Sequence, residues 1–131
     1  MGGKWIMKRI VTDKAPTPVG PYSQAIISNG LVYTAGQIAL TPKSKELVGE
    51  DITSQTEQVI NNLSQILESA GSNLSRVIRC DVFLADLDHF DEFNRVYEKY
   101  FNKSRPARIT VEVGSLPKSA LVEIAVIAEV I

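Results

Sequence analysis

Arg108 and Glu123 are the residues whose types and surroundings could do chemistry. Arg108 stands in Arg105-Pro-Ala-Arg-Ile-Thr-Val-Glu-Val113, and Glu123 in Leu121-Val-Glu-Ile-Ala-Val-Ile-Ala-Glu-Val-Ile131, two strand-like runs of mostly apolar residues. An unpaired buried charge costs on the order of several kcal/mol or shifts its pKa to escape, so charges in such runs are paired or face a ligand. Arginine offers a permanent cation, and glutamate offers a carboxylate that can exchange a proton. Opposite in sign and on neighbouring segments, the two could form a site, or simply a structural ion pair between adjacent strands.

Other reactive residue types are scarce. His89 is the only histidine and reads as a surface or helix-capping residue, with no second His or Cys nearby in sequence to complete a metal centre. Cys80, the single cysteine, alternates with apolar neighbours and reads as a buried thiol. Lys43-Ser-Lys45 is a loop charge cluster.

Composition narrows the class. With 131 residues, 44% hydrophobic and 22% charged, the chain has the length and balance of one ordinary globular domain. A net charge of −1 lacks the basic excess of a nucleic-acid-coating surface. No apolar run approaches the roughly 20 residues a membrane span requires, and one cysteine cannot build an intrachain disulfide framework. A cytoplasmic protein is expected. Residues 1–6 read as an extension ahead of Met7, leaving 7–131 as the domain.

The elements that must position these residues follow from pattern. Residues 8–11 read as a short strand, after which Pro16, Pro18, Gly20 and Pro21 impose a stiff loop. Asn29-Gly30 between two apolar runs predicts a hairpin over residues 25–35. Ile52, Val59, Ile60, Leu63, Ile66, Leu67 and Ala70 recur at helical spacing, with Asp51 as cap and Gly71 as terminator. Residues 77–84 alternate as a strand, with Ile78, Cys80, Val82 and Leu84 on one face and Arg79, Asp81 and Phe83 on the other. A second helix follows Asp88, carrying the stripe Phe90, Phe93, Val96, Tyr97, Tyr100 and Phe101. Strands over 107–113 and 121–130 finish the chain. The order β-ββ-α-β-α-ββ predicts an α+β domain: one mixed sheet of about six strands with both helices on one face.

Alternation sorts the last two strands by face. Ile109, Val111 and Val113 oppose Arg108, Thr110 and Glu112, while Val122, Ile124, Val126, Ala128 and Val130 oppose Glu123, Ala125, Ile127 and Glu129. The wholly apolar sets are expected to meet the helices. The remaining face, with Phe83, Ala125 and Ile127 among charges, is too apolar for solvent and too polar for a core. A homo-oligomer with sites at its interfaces is expected from it.

The motifs Gly20-Pro-Tyr-Ser-Gln-Ala25, Thr34-Ala-Gly-Gln-Ile38, Arg105-Pro-Ala-Arg108 with Val111-Glu-Val113, and Leu116-Pro-Lys118 before Val122-Glu-Ile124 occur in order over nearly the whole chain. In them the sequence resembles the Rid (YjgF/RidA) family. The resemblance implies a chorismate-mutase-like α+β fold, a homotrimer with clefts between subunits, and deamination of reactive 2-imino acids to 2-keto acids and ammonia without a cofactor. It implies Arg108 as the clamp on the substrate carboxylate and Glu123 as the acid that activates water. Tyr22 is implied to cover the ligand, Gly36 to offer a backbone amide, and Asn94 to line the cleft. By default Tyr22 would be a packing aromatic and Asn94 a solvated helix residue.

Two positions depart from the family pattern. Ala35 stands where deaminase members carry Ser, removing a donor worth roughly 1.5–3 kcal/mol against a charged ligand. Thr110 stands where they carry Cys, and keeps a hydroxyl on the face of Arg108 as a hydrogen-bond partner. The alternatives are a non-catalytic small-carboxylate-binding or chaperone-like module, which Ala35 favours, and an endoribonuclease or translation inhibitor. One histidine rules out a paired-histidine cleavage mechanism for the latter.

Overall fold

Asn29 and Gly30, both at positive φ (56° and 77°), form the tight turn that joins β2 (Ala25–Ser28) to β3 (Leu31–Thr34). The structure is a computed structural model that describes residues 7–131; the extension expected over residues 1–6 lies outside the described residues. Before the hairpin comes β1 (Lys8–Ile10), and after it α1 (Ile52–Ser69), β4 (Val77–Leu84), α2 (Phe90–Phe101), β5 (Ala107–Glu112) and β6 (Val122–Glu129). Sheet order is β1-β2-β3-β6-β4-β5. β4 and β5 run parallel and the other described pairs antiparallel, so the sheet is mixed as expected.

Asp51 caps α1 by accepting the Ser54 N–H at 2.9 Å, and that bond holds its carboxyl below the ordinary value. The apolar stripe of α1 (Val59, Ile60, Leu63, Ile66, Leu67) and the aromatic one of α2 (Phe93, Tyr97, Phe101) are buried in one core with Cys80, Val82, Leu84, Val122, Ile124, Val126 and Ala128. Both helices therefore cover the same sheet face. Buried amides tie the loops to this frame. Asn62 on α1 donates to Leu40 O at 2.9 Å. Gln55 accepts the Leu121 N–H at 2.8 Å, fixing the start of β6.

Two expectations from alternation are corrected, and one of the two readings of the charged pair is removed. Ile78 is 43% exposed rather than buried with Cys80, because a register shift against β6 between Val77 and Arg79 puts Val77 inward instead. In β5 the apolar set does not meet the helices. The register Cys80↔Arg108 and Val82↔Thr110 puts Arg108 and Thr110 on the face of the buried Cys80 and Val82, leaving Ile109 (44% exposed) and Val111 (41%) on the open face. Lastly, β4 lies between β5 and β6, so Arg108 and Glu123 are not an ion pair between adjacent strands. Glu123 is opposite Phe83, which is opposite Val111. Glu123 thus belongs to the open face and Arg108 to the helix face.

Candidate active site

Glu123 lies where the ladder between β3 and β6 is interrupted. Tyr33 pairs with Ile127, and pairing resumes one register step later at Gln37 and Ile124, whose backbones exchange hydrogen bonds of 2.8 and 3.1 Å. In the gap, the Thr34 hydroxyl accepts the Val126 N–H at 3.0 Å, and the Ala35 N–H turns away to Gln24 O at 2.9 Å. Gly36 sits at this bulge. A Cβ there would run into the Glu123 carboxylate, with Cδ at 3.0 Å, so any larger residue would push the acid from this position.

Gln24, almost fully buried, fastens the proline-rich loop across from the bulge. Its amide donates to Thr12 O at 3.0 Å and Pro16 O at 2.9 Å, and its carbonyl accepts the Thr12 N–H at 2.8 Å. The loop so fixed presents a half-exposed Tyr22 to a cleft of about 80 Å³ that Gly36, Gln37, Pro117 and Glu123 also line. Burial pushes the Glu123 carboxyl above the ordinary glutamate value of 4.5. Tyr22, Gly36 and Glu123 are therefore brought together at one cleft.

Arg108 lies elsewhere. Its guanidinium donates to Asn94 Oδ1 at 2.9 Å, and its Cζ lies 4.7, 5.6 and 5.7 Å from the ring centroids of Tyr97, Phe93 and Phe90. A groove of about 300 Å³ opens beside it, lined by Asn94, Tyr97, Glu98, Asn102, Arg105 and Arg108 among others. Thr110, two residues along the same strand face, has a buried hydroxyl without a hydrogen-bond partner. Arg108, Asn94 and Thr110 form a second cluster. The ion pairs among the described residues, Arg79–Asp81 and Lys99–Glu57, involve neither Arg108 nor Glu123.

Pattern reading placed Phe93 and Tyr97 in the core, correctly, but missed that their faces support Arg108; nothing in the helical spacing signals it. Gln24 was missed too, although a polar residue directly ahead of an apolar strand was the available clue. Cys80 is fully buried and its thiol is pushed up to about 11, so it is no nucleophile at neutral pH. Among the described residues, no group of three or more His, Cys, Asp and Glu could hold a metal ion.

A six-stranded mixed sheet with two helices on one face, an arginine set among aromatic rings at one edge and a glutamate beside a glycine bulge together define the class. The family model described as Endoribonuclease L-PSP matches residues 12–130. A RutC family protein of Sulfurisphaera tokodaii is 51% identical, the match covering 92% of this chain and 97% of that one. The chloroplastic Reactive Intermediate Deaminase A of Arabidopsis thaliana is 44% identical over 94% of this chain and 66% of its own length. The crystal structure of YyfA, a Rid family protein of Yersinia pestis, has a TM-score of 0.92 and 43% identity, covering 95% of this chain and 100% of that one. The chain belongs to this endoribonuclease L-PSP family, that of the Rid (YjgF/RidA) proteins.

Proposed function

We propose that the protein hydrolyses reactive 2-imino acids to 2-keto acids and ammonia, in clefts completed by a second copy of the chain. The observation that carries the proposal is the separation of Arg108 and Glu123 onto opposite faces of one sheet. Within one chain they cannot grip one small substrate, whereas an Arg108 groove set against a neighbour's Glu123 cleft brings them together. The open face supports such assembly, since Tyr33, Ile78, Ile109 and Val111 are all more than 40% exposed on the isolated chain. A homotrimer is the assembly the family resemblance implies.

In that composite site the Arg108 fork binds the substrate carboxylate bidentately. The Gly36 backbone approaches the same ligand without side-chain obstruction, Tyr22 covers it, and Thr110 supplies its free hydroxyl. Glu123, its carboxyl raised by burial, holds water and takes one proton from it as the oxygen bonds to the imine carbon, then passes that proton to the nitrogen to give a carbinolamine. The carbinolamine hydroxyl proton follows the same route as the C–N bond breaks, leaving the keto C=O and ammonia. Imines hydrolyse unaided, so orientation of substrate and water supplies much of what is needed. The single buried thiol suits a reducing cytoplasm.

Subunit complementation tests the proposal. Arg108→Ala and Glu123→Gln should each abolish acceleration of imine decay, with the imine generated in situ and spontaneous loss subtracted. Co-refolding the two inactive chains should restore part of the activity, because Glu123→Gln chains keep Arg108 and Arg108→Ala chains keep Glu123. Folded wild type without acceleration would sink the deaminase reading, and complementation failing between two correctly assembled variants would sink the shared cleft.

A further inference from the structure

Arg108 occupies the helix-covered side of an edge strand, where a guanidinium needs compensation for the water it gives up. A carboxylate is the common answer, but it would also cancel the charge that an anionic ligand requires. The compensation around Arg108 is neutral. Asn94 Oδ1 accepts one N–H at 2.9 Å, and three ring faces surround Cζ, that of Tyr97 nearest at 4.7 Å. Tyr97 is itself held firmly, its ring centroid 5.5 Å from Phe93 and 4.5 Å from Phe101, with 9% of its surface exposed.

We propose that Tyr97 is the positioning residue for Arg108: its ring face fixes the guanidinium beside the groove and leaves the positive charge available to a ligand carboxylate. The inference rests on Arg108 being a carboxylate clamp. A ring face attracts the cation through its quadrupole without accepting a hydrogen bond from the guanidinium, so the N–H fork stays open for bidentate binding. The Tyr97 hydroxyl is buried without a hydrogen bond of ordinary length, yet it lies close to both the Cys80 thiol and Arg108, so Tyr97→Phe is the variant that separates the ring from the oxygen. The side-chain hydrogen bond of ordinary length at Arg108 goes to an amide, and converting that amide to a carboxylate would quench the clamp.

The experiment compares wild type, Tyr97→Phe, Tyr97→Met and Asn94→Asp as assembled proteins. Pyruvate affinity is measured by calorimetry, imine hydrolysis by steady-state kinetics, and the Arg108 Nε–H resonance by NMR without ligand. Tyr97→Met should weaken pyruvate binding and raise KM on the order of 5–30-fold, with kcat changed by less than about two-fold. Tyr97→Phe should restore affinity, and Asn94→Asp should weaken it. In wild type the Arg108 Nε–H should carry a ring-current shift that Tyr97→Met removes. Wild-type affinity in Tyr97→Met, equal weakness in Tyr97→Phe, or no ring-current shift in wild type would each overturn the proposal. If wild type binds no pyruvate and accelerates no imine decay, the deaminase reading fails, while the ligand-free NMR shift still decides what Tyr97 does.

Discussion

The Arg108 groove and the Glu123 cleft handle a half-buried charge in opposite ways. Around Arg108 the fold supplies stabilisation for a permanent cation, with an amide oxygen and three aromatic faces. Around Glu123 it withholds stabilisation. Burial raises the carboxyl, and the residue beside it is a glycine, whose missing Cβ leaves the carboxylate its place. A binding cation benefits from being fixed and always charged. A group that must take up and return a proton benefits from a pKa moved toward the working pH. The contrast fits the proposed roles, grip for one region and proton transfer for the other.

Glu123→Gln should break the contrast most sharply, since losing a general acid/base costs about 10²–10⁴-fold in kcat while KM for the imine moves little. It should also stabilise the fold at neutral pH. A carboxyl raised in the folded state favours folding fully below its unfolded pKa, near 4.5, and that contribution is lost as pH climbs through the folded pKa. Thermal unfolding at pH 7 should therefore show a higher Tm for the variant, with the difference closing below the ordinary carboxylate range. The same shift predicts that wild-type kcat rises with pH through a transition above 4.5, and that Glu123→Gln lacks this transition.

Ile109→Asp tests whether the two regions belong to different copies. A charge on the open face of β5 should reduce assembly, read by light scattering, and activity should fall with it while the monomer stays folded. Gly36→Ala comes next in size. A Cβ forced against the Glu123 carboxylate must displace it, which a flexible side chain does at little cost in stability, so kcat should fall more than either Tm or pyruvate affinity. Tyr22→Phe should be mildest, because the hydroxyl makes only a long 3.4 Å contact with the Val19 N–H. Less than about 0.5 kcal/mol of stability is expected from that loss, and a larger effect on KM would show that the hydroxyl meets the ligand.

Much of the fold was legible because its signals are local. Asn29-Gly30 demanded a turn, Asp51 a cap, and the spacing of Val59, Ile60, Leu63 and Ile66 a buried helical stripe; all are found. The Glu123 cleft was legible through motif, since Gly20-Pro-Tyr, Ala35-Gly36 and Val122-Glu converge there. The Arg108 environment was legible only in part. Asn94 was named only as lining the cleft, and the supporting rings were indistinguishable from core, because a core aromatic and an aromatic platform share the same helical spacing. Ile78 escaped because a register shift breaks alternation without a glycine or proline to announce it.

Period-two alternation by itself determined which residues share a face: Arg108 with Thr110, and Ile109 with Val111. It could not determine which of those faces is the inner one, because on an edge strand both sets are half exposed and hydrophobicity no longer separates them. Tertiary structure decided that through parallel pairing, with Arg108 opposite the buried Cys80, and through strand order, with β4 set between β5 and β6. Glu123 and Arg108 thereby fell on opposite sides of one sheet, since register is a long-range choice made by whole strands competing to bury their apolar faces.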